Sequence, residues 1–354
     1  MNNFVSKPQT MWISLTDICN NKCTWCYEQG NHADKLKYIE RETIKKILAT
    51  MPIVGIKKCI LIGGEPTLHP ELHEIISDLK EKNLSVSLIS NGRQFIKRSN
   101  VEKLKSTKLD SLMLSIHGWS EETYFRFTLS KHGFKELKTS IRLLQEYKIP
   151  FGINVVISKF TSNEIDNIID FIKWIGLTRA SFNIAAPAVS RNGIDSSFVA
   201  EMKDYKTQVM EMHSKCKLQG IKANFNLTLP HCIFSDDEFT ELTLNGSVVS
   251  GCHLLKGGGV VFKTNGAIAA CTHIADFEIA NTNTAIEILE TPDSFLSFWN
   301  SNKLMETRQK ANCYRSDECS TCSHWSHCGG GCLIHWSRND TEKMNLRSMP
   351  SVKF

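Results

Sequence analysis

The feature that most constrains this chain is the run Cys19-Asn20-Asn21-Lys22-Cys23-Thr24-Trp25-Cys26. It follows a short apolar segment, Met11 to Leu15, that reads as a buried strand. Three thiols then share one loop, with three and then two residues between them. A loop of that length can turn all three sulfurs toward one object. Clustered thiolates are soft ligands that suit zinc or iron–sulfur. Three ligands rather than four leave one metal position for another molecule. An incomplete zinc site or a group of buried core thiols would use the same residues, so the decision falls to the rest of the chain.

The 354 residues are enough for one large domain and a smaller one. The 41% of apolar residues is ordinary for a globular protein. Lys and Arg are scattered over helical stretches such as Lys97 to Lys108, where they read as a solvated face. No basic stripe with interleaved aromatics points to nucleic acid. No segment is long and apolar enough to span a bilayer. Met1 to Thr10 is polar and lacks a signal-peptide core, so the expected location is cytoplasmic. The thirteen cysteines are unusual, and eight of them lie between Cys232 and Cys332. In a large chain without a signal they point to metal or redox chemistry rather than disulfides.

Strand and helix patterns alternate. Strands are expected at Met11–Leu15, Cys59–Ile62, Ser85–Ser90, Leu112–Ile116, Phe151–Ile157 and Ala180–Ile184. Helical spacing covers Lys37–Met51, Glu71–Leu79, Phe134–Tyr147 and Ile165–Ile175. Alternating β and α implies a parallel sheet with right-handed crossovers, either doubly wound or a barrel. The expected domains are a core over 1–190, a bridging helical region over 191–248, and a cysteine-rich domain over 249–354.

The second strand ends in Gly63-Gly64-Glu65-Pro66, continuing Thr67-Leu68-His69-Pro70. Paired glycines let backbone approach a ligand closely; a simple strand-to-helix turn is the plainer alternative. With the cysteine loop upstream, this segment closely resembles the radical S-adenosylmethionine (SAM) superfamily. The resemblance selects a (β/α)6 partial TIM barrel, an α/β fold with its chemistry at the C-terminal ends of the strands. It implies that Cys19, Cys23 and Cys26 hold a [4Fe-4S] cluster whose fourth iron takes SAM. It gives Gly63, Gly64, Glu65 and Pro66 to the SAM amino group, and Trp25 to the adenine. Ser90, Ser115, Arg126 and Asn154 are further SAM contacts by the same resemblance. Serine capping a turn and an Arg126 surface ion pair are the competing roles. Where many relatives carry Asp, this chain has His117.

The cysteines return in the last third. Val260 to Ala270 reads as a hairpin with Asn265-Gly266 at its tip, flanked by Cys252 and Cys271. Cys319, Cys322, Cys328 and Cys332 follow, with Gly329-Gly330-Gly331 before the last. A zinc ribbon also uses such pairs. The region resembles the iron–sulfur SPASM domain, which implies two auxiliary [4Fe-4S] clusters. That pattern ends with one more cysteine downstream, and Leu333 to Phe354 contains none. Cys232 and Cys313 are available to compensate. The resemblance groups Cys252, Cys271 and Cys332 near the active site, and Cys319, Cys322 and Cys328 farther away. Cys232 is placed with the near set and Cys313 with the distal one; a three-thiolate cluster with an open iron is the other arrangement. Cys59 and Cys216 read as small buried hydrophobes.

By resemblance, the reduced cluster gives an electron to SAM, which breaks to methionine and a 5'-deoxyadenosyl radical. That radical takes hydrogen from an unactivated carbon, and the auxiliary clusters accept or relay a second electron. The implied enzyme is a radical SAM oxidoreductase or maturase, sensitive to oxygen and fed by a flavodoxin or ferredoxin. SPASM proteins commonly crosslink or oxidise ribosomally made peptides, so a precursor peptide is the expected substrate. Sulfatase-type maturases carry an Asp directly after the second near-cluster cysteine; here the run is Cys271-Thr272-His273, leaving His273 as a candidate base. The first strand begins too early for an expected N-terminal leader-binding domain, so a precursor peptide is expected either to need a separate recognition protein or to bind the barrel directly. The alternatives are a dehydrogenase or tetrapyrrole-modifying enzyme with a small substrate, and a non-catalytic iron–sulfur or zinc scaffold.

Overall fold

Burial along the strands alternates residue by residue. In Ser111–Ile116 (β4), Leu112, Leu114 and Ile116 are buried, while Ser111, Met113 and Ser115 stay partly open. Ser85–Ser90 (β3), Gly152–Ile157 (β5) and Arg179–Ile184 (β6) repeat this period of two. One side of the sheet is therefore apolar and covered, and the other carries short polar side chains. The computed structural model describes residues 7–26, 38–190, 193–245, 247–252, 257–274, 277–311 and 317–336.

Thr10–Ser14 (β1) and Lys58–Ile62 (β2) complete the first six strands. Ala188–Ser190 (β7) and Gly193–Asp195 (β8) form a separate antiparallel pair. Lys222–Leu227 (β9), Ser247–Ser250 (β10), Gly259–Phe262 (β11), Ile268–Ala269 (β12) and Glu278–Ala280 (β13) follow. Apart from β7 and β8, the strands form one 11-stranded sheet, ordered β10-β9-β6-β5-β4-β3-β2-β1-β11-β12-β13. Pairing is parallel from β10 across to β11, and antiparallel only through β12 and β13.

The covering helices have apolar stripes at helical spacing. Arg41–Val54 (α1) buries Ile44, Ile47, Leu48, Met51 and Val54, and ends at Gly55 with φ 112°. That left-handed cap is strained for any residue with a Cβ. Leu72–Glu81 (α2) buries Leu72, Ile75, Ile76 and Leu79, and Ile165–Ile175 (α6) buries Ile165, Ile168, Ile169, Ile172 and Ile175. Arg98–Ser106 (α3), Glu121–Thr128 (α4), Gly133–Glu146 (α5), Met202–Leu218 (α7) and Asp236–Asn245 (α8) complete the set before residue 246. Ser120 and Thr123 start α4 with a reciprocal capping box.

The structure corrects two expectations. The sheet does not stop at six strands, because β9 pairs with β6 over Arg179–Asn183 and β10 follows it. Residues 191–248 do carry the helices α7 and α8, but they also add β9 and the start of β10 to the core sheet. The cause is the alternation in β9, where Ala223, Phe225 and Leu227 are buried between polar neighbours. Residue 249 is likewise no break, since β11 pairs with β1 on the opposite side. No helix among the described residues is long and apolar enough to cross a membrane.

Candidate active site

The cysteine loop leaves the C-terminal end of β1 and is tied on both sides. Gly64 N–H donates to Thr16 O at 2.7 Å, and Glu65 N–H to Ile18 O at 2.8 Å. A Cβ on Gly63 would lie 2.5 Å from Thr16 O, and one on Gly64 would lie 2.4 Å from Ile18 O. The two glycines are therefore bare so that two backbones can meet. On the opposite side Lys22 N–H reaches Thr128 O at 2.9 Å and Thr24 N–H reaches Phe127 O at 3.0 Å. Asn21 Nδ2 donates to Tyr124 OH at 3.1 Å.

Glu65 is buried and tied to the scaffold. One oxygen accepts from Thr67 N–H at 3.1 Å and Ser90 Oγ–H at 2.7 Å; the other accepts from Asn91 N–H at 2.7 Å. Burial raises its carboxyl above the usual range, and these donors pull it back. Ser90 Oγ also accepts from Gly92 N–H at 2.9 Å. Pro66 opens the 3₁₀ turn Pro66–Leu68 that follows. The partners of Glu65 and Ser90 are thus each other, the Thr67 hydroxyl and the local backbone, a tie between the ends of β2 and β3.

Two residues absent from the sequence reading complete the cradle. Asn91 Nδ2 donates to Asn20 Oδ1 at 2.6 Å. Arg93 donates to Asn20 O and, at 2.8 Å, to Asn21 Oδ1, while Glu136 on α5 holds its Nε at 2.6 Å. Their signal was positional: both lie just beyond a strand end that carries other site residues.

Burial raises the Cys19 thiol to about 12, and Glu65 and Cys26 push it further in the same direction. Cys23 is raised well above its ordinary value by burial, then by Cys26 and Cys19. The three sulfurs are thus within electrostatic reach of one another, in a place where thiolates need a cation. A cluster of positive irons meets that need, so the residues fit the group. Beside them the Trp25 ring lies 4.9 Å from Phe127 and 6.0 Å from His117. Trp25 Nε1, Thr24 Oγ1 and His117 Nδ1 are buried without a hydrogen-bond partner. Three idle polar atoms around an aromatic ring fit a polar heterocycle such as adenine. Burial lowers His117 to about 4, which keeps the imidazole neutral.

Ser115 and Asn154 are neighbours in register, and the row continues through Ser181 to Asn224. All four lie on the half-exposed face of the sheet. Ser181 and Asn224 are additions to the sequence reading. Arg126 is half-exposed, ion-paired with Glu164 at 3.2 Å and stacked over Phe127, the surface-pair role that the sequence left open. Its charge serves that surface pair.

Among the C-terminal thiols, Cys332 is raised to about 12 by burial, with Cys252 and Cys271 adding to it. Burial also raises Cys271, while the N–H groups of Thr272, His273 and Ile274 act on its sulfur in the opposite sense. Main-chain N–H groups of Ile334 and His335 do the same for Cys332. Such wrapping favours a thiolate. His273 sits on the turn around Cys271, its Nδ1 3.3 Å from Thr272 Oγ1, and burial lowers it. Cys232 is expected beside the near set, but after burial the thiols that raise it are Cys328, Cys319 and Cys322. Cys313 lies outside the described residues. Cys59 and Cys216 are fully buried in the core. Among the described residues no three His, Cys, Asp or Glu side chains converge tightly enough for a single ion.

Residues 13–172 match the family model of the radical SAM superfamily. Over that stretch, from β1 into α6, the chain is similar to the superfamily. The chain is 24% identical over 267 residues to "Probable GTP 3',8-cyclase" of Metallosphaera sedula, covering 75% of this chain and 80% of that protein. It is 29% identical over 213 residues to the protein of the same name in Pyrococcus horikoshii, covering 59% and 65%. In fold it is similar to Streptococcus suis SuiB bound to S-adenosylmethionine, with TM-score 0.71, 20% identity, and 96% and 76% of the two chains covered. It is also similar to anSMEcpe with bound AdoMet and Kp18Cys peptide, with TM-score 0.68, 20% identity, and 92% and 90% covered.

Proposed function

We propose that this radical SAM protein oxidatively modifies a side chain of a ribosomally made peptide, by crosslinking or another oxidation. The observation that carries the reading is the extent of the fold likeness. SuiB has also been solved bound to precursor peptide SuiA, and the likeness to that structure covers 96% of this chain. When bound, the cluster and SAM supply a 5'-deoxyadenosyl radical that takes hydrogen from carbon. The chain's own residues do the positioning. Arg93, Asn91 and Tyr124 fix the cysteine loop, and Trp25 and His117 frame a slot for adenine. Ser115 and Asn154 offer polar contacts from the sheet. Cys252, Cys271, Cys332 and the distal thiols hold auxiliary [4Fe-4S] clusters, in a SPASM-like arrangement. A flavodoxin or ferredoxin supplies electrons, and a separate protein presents the peptide if its leader is read.

A second reading is a small-molecule radical SAM enzyme, favoured by the sequence relatives named as GTP 3',8-cyclases. One assay separates the two. The protein is reconstituted anaerobically with iron and sulfide, then given SAM and a strong reductant. Production of 5'-deoxyadenosine is measured alone, with GTP, and with peptides encoded beside the gene. The peptide reading expects turnover to rise with a neighbouring peptide and a mass change in that peptide. A rise with GTP alone overturns it. The Cys19→Ala, Cys23→Ala, Cys26→Ala triple variant should give no 5'-deoxyadenosine under any condition. A fully iron-loaded wild type that never cleaves SAM would favour a non-catalytic scaffold.

A further inference from the structure

We infer that Cys232 is the fourth thiolate of the distal C-terminal site, together with Cys319, Cys322 and Cys328. The ligand then comes from the turn after β9, upstream of the whole cysteine-rich region. This rests on the reading that the C-terminal thiols hold iron–sulfur clusters.

The geometry fixes that turn against the glycine run. Cys332 N–H donates to Thr228 O, and Thr228 Oγ1 lies 2.9 Å from His335 Nε2. Gly331 has φ +75°, and a Cβ there would lie 2.6 Å from Thr228 O and 2.8 Å from Leu229 C. Two backbones are thus in direct contact along residues 228–230. At the next residue, His231 N–H reaches Cys328 Sγ at 3.4 Å. Cys232 follows in the same 3₁₀ turn, His231–Ile233. The other thiols are brought in locally. Cys322 N–H approaches Cys319 O at 3.4 Å, and Cys328 N–H donates to His324 O at 2.9 Å.

Two further observations point to a bound group. The His231 ring is 6% exposed and stacks 4.5 Å from Phe239, yet neither ring nitrogen has a partner. A buried imidazole with two idle nitrogens beside a thiol set is a site waiting for a donor or acceptor. Cys232 itself is exposed, unlike the core thiols Cys59 and Cys216 at 0%. Packing therefore does not account for it. A cluster in which each iron takes one thiolate would use all four thiols.

The test uses the full chain carrying Ala at Cys19, Cys23, Cys26, Cys252 and Cys271, which leaves the distal thiols. After anaerobic reconstitution, iron, sulfide and the Mössbauer spectrum are measured. About four irons per chain are expected. Adding Cys232→Ala should cut this by more than half, whereas adding Cys313→Ala should change nothing. The reverse pattern overturns the assignment. Cys232→Ser keeps the size of the side chain, so it covers the case in which Cys232→Ala fails to fold. It should alter the Mössbauer signal of one iron, and an unchanged spectrum also overturns the assignment. If the five-Ala chain binds no iron at all, the auxiliary-cluster reading fails, and the role of Cys232 fails with it.

Discussion

Ser90 donates its hydroxyl hydrogen to Glu65 at 2.7 Å, joining the ends of β3 and β2 beneath the cysteine loop. Glu65 takes further donors from Thr67 and Asn91, and its own N–H holds Ile18 O. Glu65→Gln puts an NH2 group against at least one of those donors. The expected cost is about 1–3 kcal/mol, with faster loss of core iron to a chelator. Ser90→Ala removes two hydrogen bonds, the one to Glu65 and the one from Gly92 N–H, and should cost about 1–3 kcal/mol. Thermal unfolding and iron release check both. Weaker SAM binding at unchanged stability would make Glu65 a ligand contact rather than a tie.

Gly64 and Gly176 provide a matched contrast. A Cβ on Gly64 meets Ile18 O at 2.4 Å, which is backbone and cannot move aside cheaply. Gly176 caps α6 at φ +80° with nothing within 4 Å. Gly64→Ala should therefore destabilise by about 3 kcal/mol or more, through displacement of the cysteine loop. Gly176→Ala should cost only about 1 kcal/mol of backbone strain. Denaturant midpoints and iron per chain read the difference: core iron falls in the first variant and holds in the second.

The first six strands were legible because each carries a buried alternation or an apolar run that ends in a turn signal. Ser85–Ser90 and Ile165–Ile175 coincide with their expected bounds. β9 was missed because its buried Ala223, Phe225 and Leu227 alternate with Lys222, Asn224 and Asn226 directly after the long, polar α7. At the site, residue types were legible and their directions were not. Glu65 and Ser90 stand where the motif puts them, but three-dimensional pairing decides that they face each other. Asn91 and Arg93 act through contacts about 70 residues away in sequence, which no local pattern reveals. Cys232 was grouped by a count of thiols, whereas the docking of Thr228 against Gly331 brings its turn beside Cys328.

His117 makes stability depend on pH. Burial holds its folded value at about 4, against an ordinary 6.5. As pH falls from 6.5 toward 4 the unfolded chain takes the proton first, so the folded state loses ground across that window. Above 6.5 its contribution is fully present. The loss should be about 2 kcal/mol, discounted because the ring is partly open to solvent. His117→Gln should flatten the dependence. Urea midpoints of the cluster-free protein at pH 7 and pH 4.5 measure it. Equal slopes in the two proteins would place the titration elsewhere.

Arg93 is the last link between the loop and the helices behind it. Its guanidinium meets Glu136 at 2.6 Å and Asn21 Oδ1 at 2.8 Å, with 11% of the side chain exposed. A forked donor can serve both partners at once, whereas an ammonium is a single point. Arg93→Lys should therefore fail to restore what Arg93→Ala loses. Both variants should destabilise the fold by about 2 kcal/mol, because Glu136 is left partly buried without its partner. Both should also release core iron several-fold faster than wild type. A double variant that adds Glu136→Gln should recover stability but not iron retention, since the Asn20 and Asn21 contacts stay broken. Recovery of both would mean that Arg93 acts only through its ion pair and not on the loop.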